Sequence, residues 1–198
     1  MVNMKLFGLW DISEVKVEEP GLKKVINLDD KLLLKSHGRI KYDQAKTKVN
    51  VIERVINLLQ VPGSRGKKHR IITNWISGKQ QKTTMIVIDA FKIIEKQTGK
   101  NPIAVLVKAI ENAAPRDEVT AIEYGGARYP QAVDVSPRRR LNLTLRFIVN
   151  GAYDKAFNKK LTITESLAKE LIAASNNAGE SYSITKKNDM EKQADAAR

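Results

Sequence analysis

The sequence predicts a mainly α-helical protein, a bundle of about six helices with a two-stranded β-hairpin projecting between the third and fourth. Three observations predict it. Apolar residues recur at i, i+3, i+4 and i+7 in successive segments after about residue 48; one stretch near 117–135 switches to period two around Gly125-Gly126; and Pro or Gly punctuates the boundaries between them. Before that point no helical period persists. Residues 1–47 mix short apolar pieces with Pro20, Gly21, Gly38 and clustered charges, and read as an N-terminal arm with short elements; residues 48–198 read as the helical domain.

The first helix follows from Ile52, Val55, Ile56 and Leu59 on one side, with Glu53, Arg54, Asn57 and Gln60 on the other, and Pro62-Gly63 stops it. The loop Gly63-Ser64-Arg65-Gly66-Lys67-Lys68-His69-Arg70 contains no acid. A solvated loop tolerates that composition and a phosphate-binding loop requires it. The second helix, roughly Thr83 to Gln97, has Val87, Ala90, Phe91 and Ile94 on one face and Gly99 as its C-cap. Asn101-Pro102 starts the third, Ile103 to Ala113, which is apolar on nearly every side and is expected at the centre of the bundle; Pro115 closes it.

From Glu118, Thr120, Ile122 and Tyr124 alternate with Val119, Ala121 and Glu123, and Gln131, Val133 and Val135 continue on the return strand. Gly125-Gly126 supplies the positive backbone angles of a tight turn. A two-stranded ribbon is marginally stable in water and Pro130 cannot donate to a central ladder, so this ribbon of about 117–135 is expected to project and rest on a partner. Arg128 and the rings of Tyr124 and Tyr129 would offer charge and stacking surface to nucleotides. Packing of each tyrosine across the ribbon explains it equally well.

The fourth helix starts at Pro137, with Ser136 as N-cap, so Arg138, Arg139 and Arg140 fall in its first turn. Cations are disfavoured there by about 0.3–1 kcal/mol each, which makes poor sense for an isolated helix and good sense if phosphates sit at that end. A solvated basic surface is the plain alternative. The helix buries Leu141, Leu145 and Ile148, and its other face carries Arg139, Asn142, Arg146 and Asn150. Thr162-Ile163-Thr164-Glu165 is a capping box that announces the fifth helix, with Leu167 and Leu171 inward. A weakly apolar C-terminal helix at about 184–198 completes the set, and such a segment more often lies against a partner than adds core.

Charge points the same way as the arginines. The chain has 198 residues, 35 Lys plus Arg against 22 Asp plus Glu, a net charge of +13 and no cysteine. The basic excess fits a nucleic acid or an anionic membrane surface, while no apolar run is long enough for a membrane span, so the chain is expected to be soluble and intracellular. Without cysteine there are no disulfides and no Cys-based metal sites. His37 and His69 form no metal or catalytic constellation, the Gly63–Lys68 loop only superficially resembles a P-loop, and Glu95, Glu111, Asp117 and Glu118 show no distinctive spacing. No enzyme activity, cofactor or metal is expected.

In its ordered motifs the chain resembles the universal small-subunit ribosomal protein S-seven family in its archaeal form. Those motifs are Lys100-Asn101-Pro102-Ile103-Ala104-Val105-Leu106-Val107, Ala114-Pro115-Arg116-Asp117, the Gly125–Arg140 stretch, Leu167-Ala168-Lys169-Glu170-Leu171 and Ser181-Tyr182-Ser183-Ile184-Thr185-Lys186-Lys187. The resemblance implies an rRNA-binding protein of the small-subunit head that binds the 3′ major domain of ribosomal RNA and starts assembly there. It implies a ribbon near the messenger exit and exit-site tRNA, and a C-terminal helix facing that tRNA and the neighbouring protein S-eleven. By position it assigns the rRNA role to Lys67, Lys68, Arg116, Arg138, Arg139, Arg140 and Arg146, and the mRNA- and tRNA-proximal role to Tyr124, Gly125, Gly126, Ala127, Arg128 and Tyr129. The arm before about Val49 and the segment Ile71 to Lys79 are longer than in bacterial members, and Trp75 is expected to pack within that insertion. An RNA-modifying enzyme or a chromosomal DNA-binding protein are the rival functions; the first lacks a cofactor motif and the second a helix-turn-helix.

Overall fold

The computed structural model describes residues 5–29, 34–36, 43–62 and 75–198. The element order is α1 Pro20–Lys23, a 3₁₀ helix Asp43–Lys48, α2 Val51–Leu59, α3 Gln80–Thr98, α4 Pro102–Ala113, β1 Asp117–Tyr124, β2 Ala127–Asp134, α5 Pro137–Ala156, α6 Ile163–Ser175 and α7 Tyr182–Asp195. With α1 a single turn, the longer helices α2 to α7 are the mainly helical bundle the periodicity predicts, and the hairpin lies between the third and fourth of them.

The ends of these helices follow from local chemistry. Asn50 caps α2 through Ile52 N, Asn101 caps α4 through Ile103 N, and Gly99 ends α3 in the left-handed conformation at φ +65°. Thr162 and Glu165 form the reciprocal capping box of α6. Ser136 stands at the N-cap of α5 ahead of Pro137, but its side chain makes no capping hydrogen bond. Those α5 amides are left to other partners.

The N-terminal segment has short elements, as its irregular sequence suggests, yet its described apolar residues are not peripheral. Leu6, Trp10, Ile12, Leu22, Val25, Ile26 and Leu34 belong to the same hydrophobic cluster as the helices. Specific bonds fix them there. The indole of Trp10 donates to Glu95 Oε2 at 2.9 Å and meets Phe91 edge-on at 5.6 Å, while Asn101 Nδ2 donates to the Asp11 carbonyl at 2.7 Å. Glu111 Oε1 accepts the backbone N–H groups of Glu18 and Glu19 at 2.7 and 3.0 Å.

α4 is nearly all buried, as its apolar composition predicts, and α6 packs on α3, α4 and α5 together. Its inward face is Ser166, Leu167, Ala168, Glu170, Leu171 and Ala174, small enough at three positions for helices to approach closely. Glu53 lies inside rather than on the polar face of α2, where its Oε1 accepts Ser36 N at 2.8 Å. Asn150 is buried and leaves the polar stripe of α5. Trp75 is 69% exposed, with the Lys79 ammonium of the same insertion over its ring.

α7 lies on the protein's own ribbon root. Its Ile184 and Ala194 are buried, and it packs against β1, β2 and α5. A buried carboxylate joins it to the core. Glu170 of α6 accepts Ser181 Oγ at 2.7 Å, Ser183 N at 3.0 Å and Lys155 Nζ of α5 at 2.6 Å, so the charge is paired and its oxygens are satisfied.

Candidate nucleic-acid interface

The ribbon is built from its turn outward. Gly125 and Gly126 have φ of +59° and +81°, the pair of positive angles a type I′ turn needs, and the register pairs Tyr124 with Ala127, Ile122 with Tyr129 and Ala121 with Pro130. In a two-stranded sheet both strands are edges, so Pro130 disrupts no central ladder. Exposure divides the ribbon. Residues 119–131 are exposed, while Val135 beyond the root is buried.

Tyr124 and Tyr129 stand on the same face with Ile122, and they are 82% and 59% exposed. That leaves both rings open for stacking. Arg128 stands on the opposite face beside its cross-strand partner Glu123, 3.5 Å away, with both side chains mostly exposed. The tip is therefore aromatic with little net charge.

At the root the positive charge gathers. Arg138 and Arg139 in the first turn of α5 are exposed, no acid stands in that turn, and Arg138 makes no ion pair with a described residue. Arg139 reaches back to Glu118 at 2.6 Å, tying helix to ribbon with its side chain still more than half exposed. Arg146 is exposed beside a small cleft of about 130 Å³ lined also by Leu58, Val61, Val149 and Asn150. Next to it on α5, Asn142 accepts a hydrogen bond from Arg54 of α2. The Arg116 side chain is exposed, and its backbone N–H donates to Glu191 of α7 at 3.0 Å.

Arg140 is the correction. Its guanidinium turns inward, pairs with Glu19 Oε1 at 2.6 Å, and donates from Nε to the Pro115 carbonyl at 3.0 Å. Those carbonyls lie just past the C-terminus of α4, where a cation is favoured. The charge that conflicts with its own helix end thus complements the end of another. Its i+4 phase with Thr144 and Ile148, both buried, was the sequence signal for this inward placement.

Lys67 and Lys68, with the rest of the 63–70 loop, lie outside the described residues, as do His37 and His69. The carboxylates that could have formed a catalytic pair are dispersed. Glu95 holds Trp10, Glu111 holds the backbone at residues 18–19, Asp117 pairs with Arg198 at 2.6 Å, and Glu118 with Arg139. Among the described residues no cluster of His, Asp and Glu could hold a metal, and no helix is long and apolar enough to cross a membrane.

A family model described as ribosomal protein S7p/S5e matches residues 33–198. The chain belongs to this family. It is thus a ribosomal protein, a structural component rather than an enzyme. A curated relative, the small ribosomal subunit protein uS7 of Nanoarchaeum equitans, is 49% identical over the full length of both chains. Proteins of the same name from Cenarchaeum symbiosum and Picrophilus torridus are 42% and 43% identical, each alignment covering at least 98% of both chains.

Proposed function

We propose that the chain is a structural and assembly component of the small ribosomal subunit head in the cytoplasm, bound to the 3′ major domain of small-subunit ribosomal RNA. Its ribbon lies near the messenger exit and exit-site tRNA, and α7 faces that tRNA and the protein S-eleven. The observation that carries the reading is the pair of exposed Arg138 and Arg139 at the root of a ribbon whose tip is aromatic and unpacked, with exposed Arg146 about two turns further along α5. Cations at the root suit phosphates, which position a protein on RNA, and open rings at the tip suit single-stranded bases. Arg116, Lys67 and Lys68 extend the phosphate set.

The test is binding of the purified chain to a transcript of the 3′ major domain over a range of salt. Each neutralised phosphate contributes about −0.7 to −0.9 to the slope of log affinity against log salt, so the slope should be steep. The double variant Arg138→Ala/Arg139→Ala should flatten it by about 1.4–1.8, and thermal stability should change little because relief of the helix-end conflict offsets loss of the partly exposed Arg139–Glu118 pair. A slope near zero for the wild type sinks the reading.

A further inference from the structure

We propose that the cleft between the Trp75 turn and the α5–α6 connection is a stacking site for an unpaired base of ribosomal RNA, an inference that rests on the RNA-binding function above. Ile76 is buried and anchors the turn, so its neighbour Trp75 is held outward on a fixed support. The cleft beneath it has a volume of about 410 Å³ and is lined by Ile86, Phe157, Leu161 and Ile163 among others, with Phe157 also exposed. Two exposed aromatic side chains at one apolar cleft mark an interaction site rather than scattered surface residues.

Charge selects the occupant. Lys79 and Lys82 place their ammonium groups 4.7 and 5.2 Å from the Trp75 ring centroid, and among the described residues none lining the cleft is acidic. Lys159 and Lys160, both exposed, stand in the chain between the lining residues Asn158 and Leu161. Aromatic surface rimmed by cations is the chemistry that single-stranded nucleic acid requires, the ring for a base and the ammonium groups for its phosphates. A base stacked on the indole replaces an exposed cation–π contact by more extensive ring-on-ring stacking, and the displaced lysine then meets phosphate.

The chain has two tryptophans, and Trp10 is buried, so Trp75 reports its own occupancy by fluorescence. Titrating the full chain with an oligo(A) RNA of about ten nucleotides should quench emission in the wild type and not in Trp75→Ala. Against the 3′ major domain transcript, Trp75→Ala should lose about tenfold in affinity with an unchanged salt slope, and Trp75→Phe should retain most of it. Lys79→Gln/Lys82→Gln should instead make the slope shallower by about 1.4–1.8. If Arg138→Ala/Arg139→Ala weakens the transcript and Trp75→Ala does not, the stacking site is wrong and the RNA-binding function stands. If the wild type fails to bind the transcript, that function fails, and the oligo(A) titration alone decides whether the indole stacks. Photocrosslinking from Trp75→p-benzoylphenylalanine in assembled subunits should reach RNA; a crosslink to protein overturns the proposal in favour of a peptide occupant.

Discussion

Arg139 and Arg140 are adjacent, equally basic and in the same helical turn, yet one faces solvent and the other the core. A rotation of about 100° per residue separates them, and that angle decides whether a guanidinium meets phosphate or Glu19 and the Pro115 carbonyl. The consequence is a split phenotype. Arg140→Ala should lower the folding free energy by about 1–3 kcal/mol, the usual loss for hydrogen bonds to a charged group, with little change in RNA affinity per folded molecule. Glu19 retains some exposure, which keeps the loss below that of a fully buried pair. Urea unfolding beside RNA titration checks it, and unchanged stability with weakened RNA binding would return Arg140 to the interface. The sequence contained part of this answer. Three arginines in a row read as one basic feature, and only their phase relative to Thr144 and Ile148 separates Arg140 from the others. Trp75 shows the opposite limit, since a lone indole after a loop has no phase to read.

At the scale of elements, α5, α6 and α7 meet around Gly151 and Glu170. A Cβ at Gly151 would stand 2.7 Å from Tyr182 Cβ and 3.2 Å from Glu170 Cδ, so glycine is required there by close approach of helices rather than by backbone angles. Two effects oppose each other in Gly151→Ala. Helix propensity favours alanine by about 1 kcal/mol, whereas overpacking costs about 1–3 kcal/mol. The obstructing Tyr182 Cβ is fixed to the backbone at the start of α7, so overpacking should win and net destabilisation should appear as a lower unfolding midpoint. A higher midpoint would mean that α7 shifts freely on α5. The termini of these elements were legible because caps act within a few residues: Asn101, Gly99 and the Thr162–Glu165 box all stand where their chemistry places them. Which helix becomes the hub was not legible. α6 earns that place through Ser166, Ala168 and Ala174, whose small size looks unremarkable in a hydropathy pattern and matters only when a neighbour arrives.

For the whole molecule, the ribbon and the core are separable in energy. The ribbon tip buries nothing, while its root is tied by Arg139 to Glu118, Arg198 to Asp117 and Glu191 to the Arg116 backbone. Replacing Gly125–Tyr129 by a short turn should therefore leave the unfolding transition and binding of the isolated ribosomal RNA domain intact. Subunits should form, then hold exit-site tRNA less well or keep reading frame less faithfully, because the replaced segment carries Arg128 and Tyr129, one of the tip's two open rings. Subunit yield, tRNA retention and frameshifting measured in one strain check this, and a failure already at RNA binding would place the tip in the ribosomal RNA interface instead. By itself the sequence determined the apolar faces of the helices, the tight glycine turn between two short strands and the basic excess, since each depends on residues close together in the chain. Tertiary structure alone decided that α7 braces the ribbon root, that the N-terminal apolar residues complete the core, and that Glu53 and Glu170 are inside. A charged side chain is buried only where a distant part of the chain supplies its partner, and no local pattern shows that partner arriving.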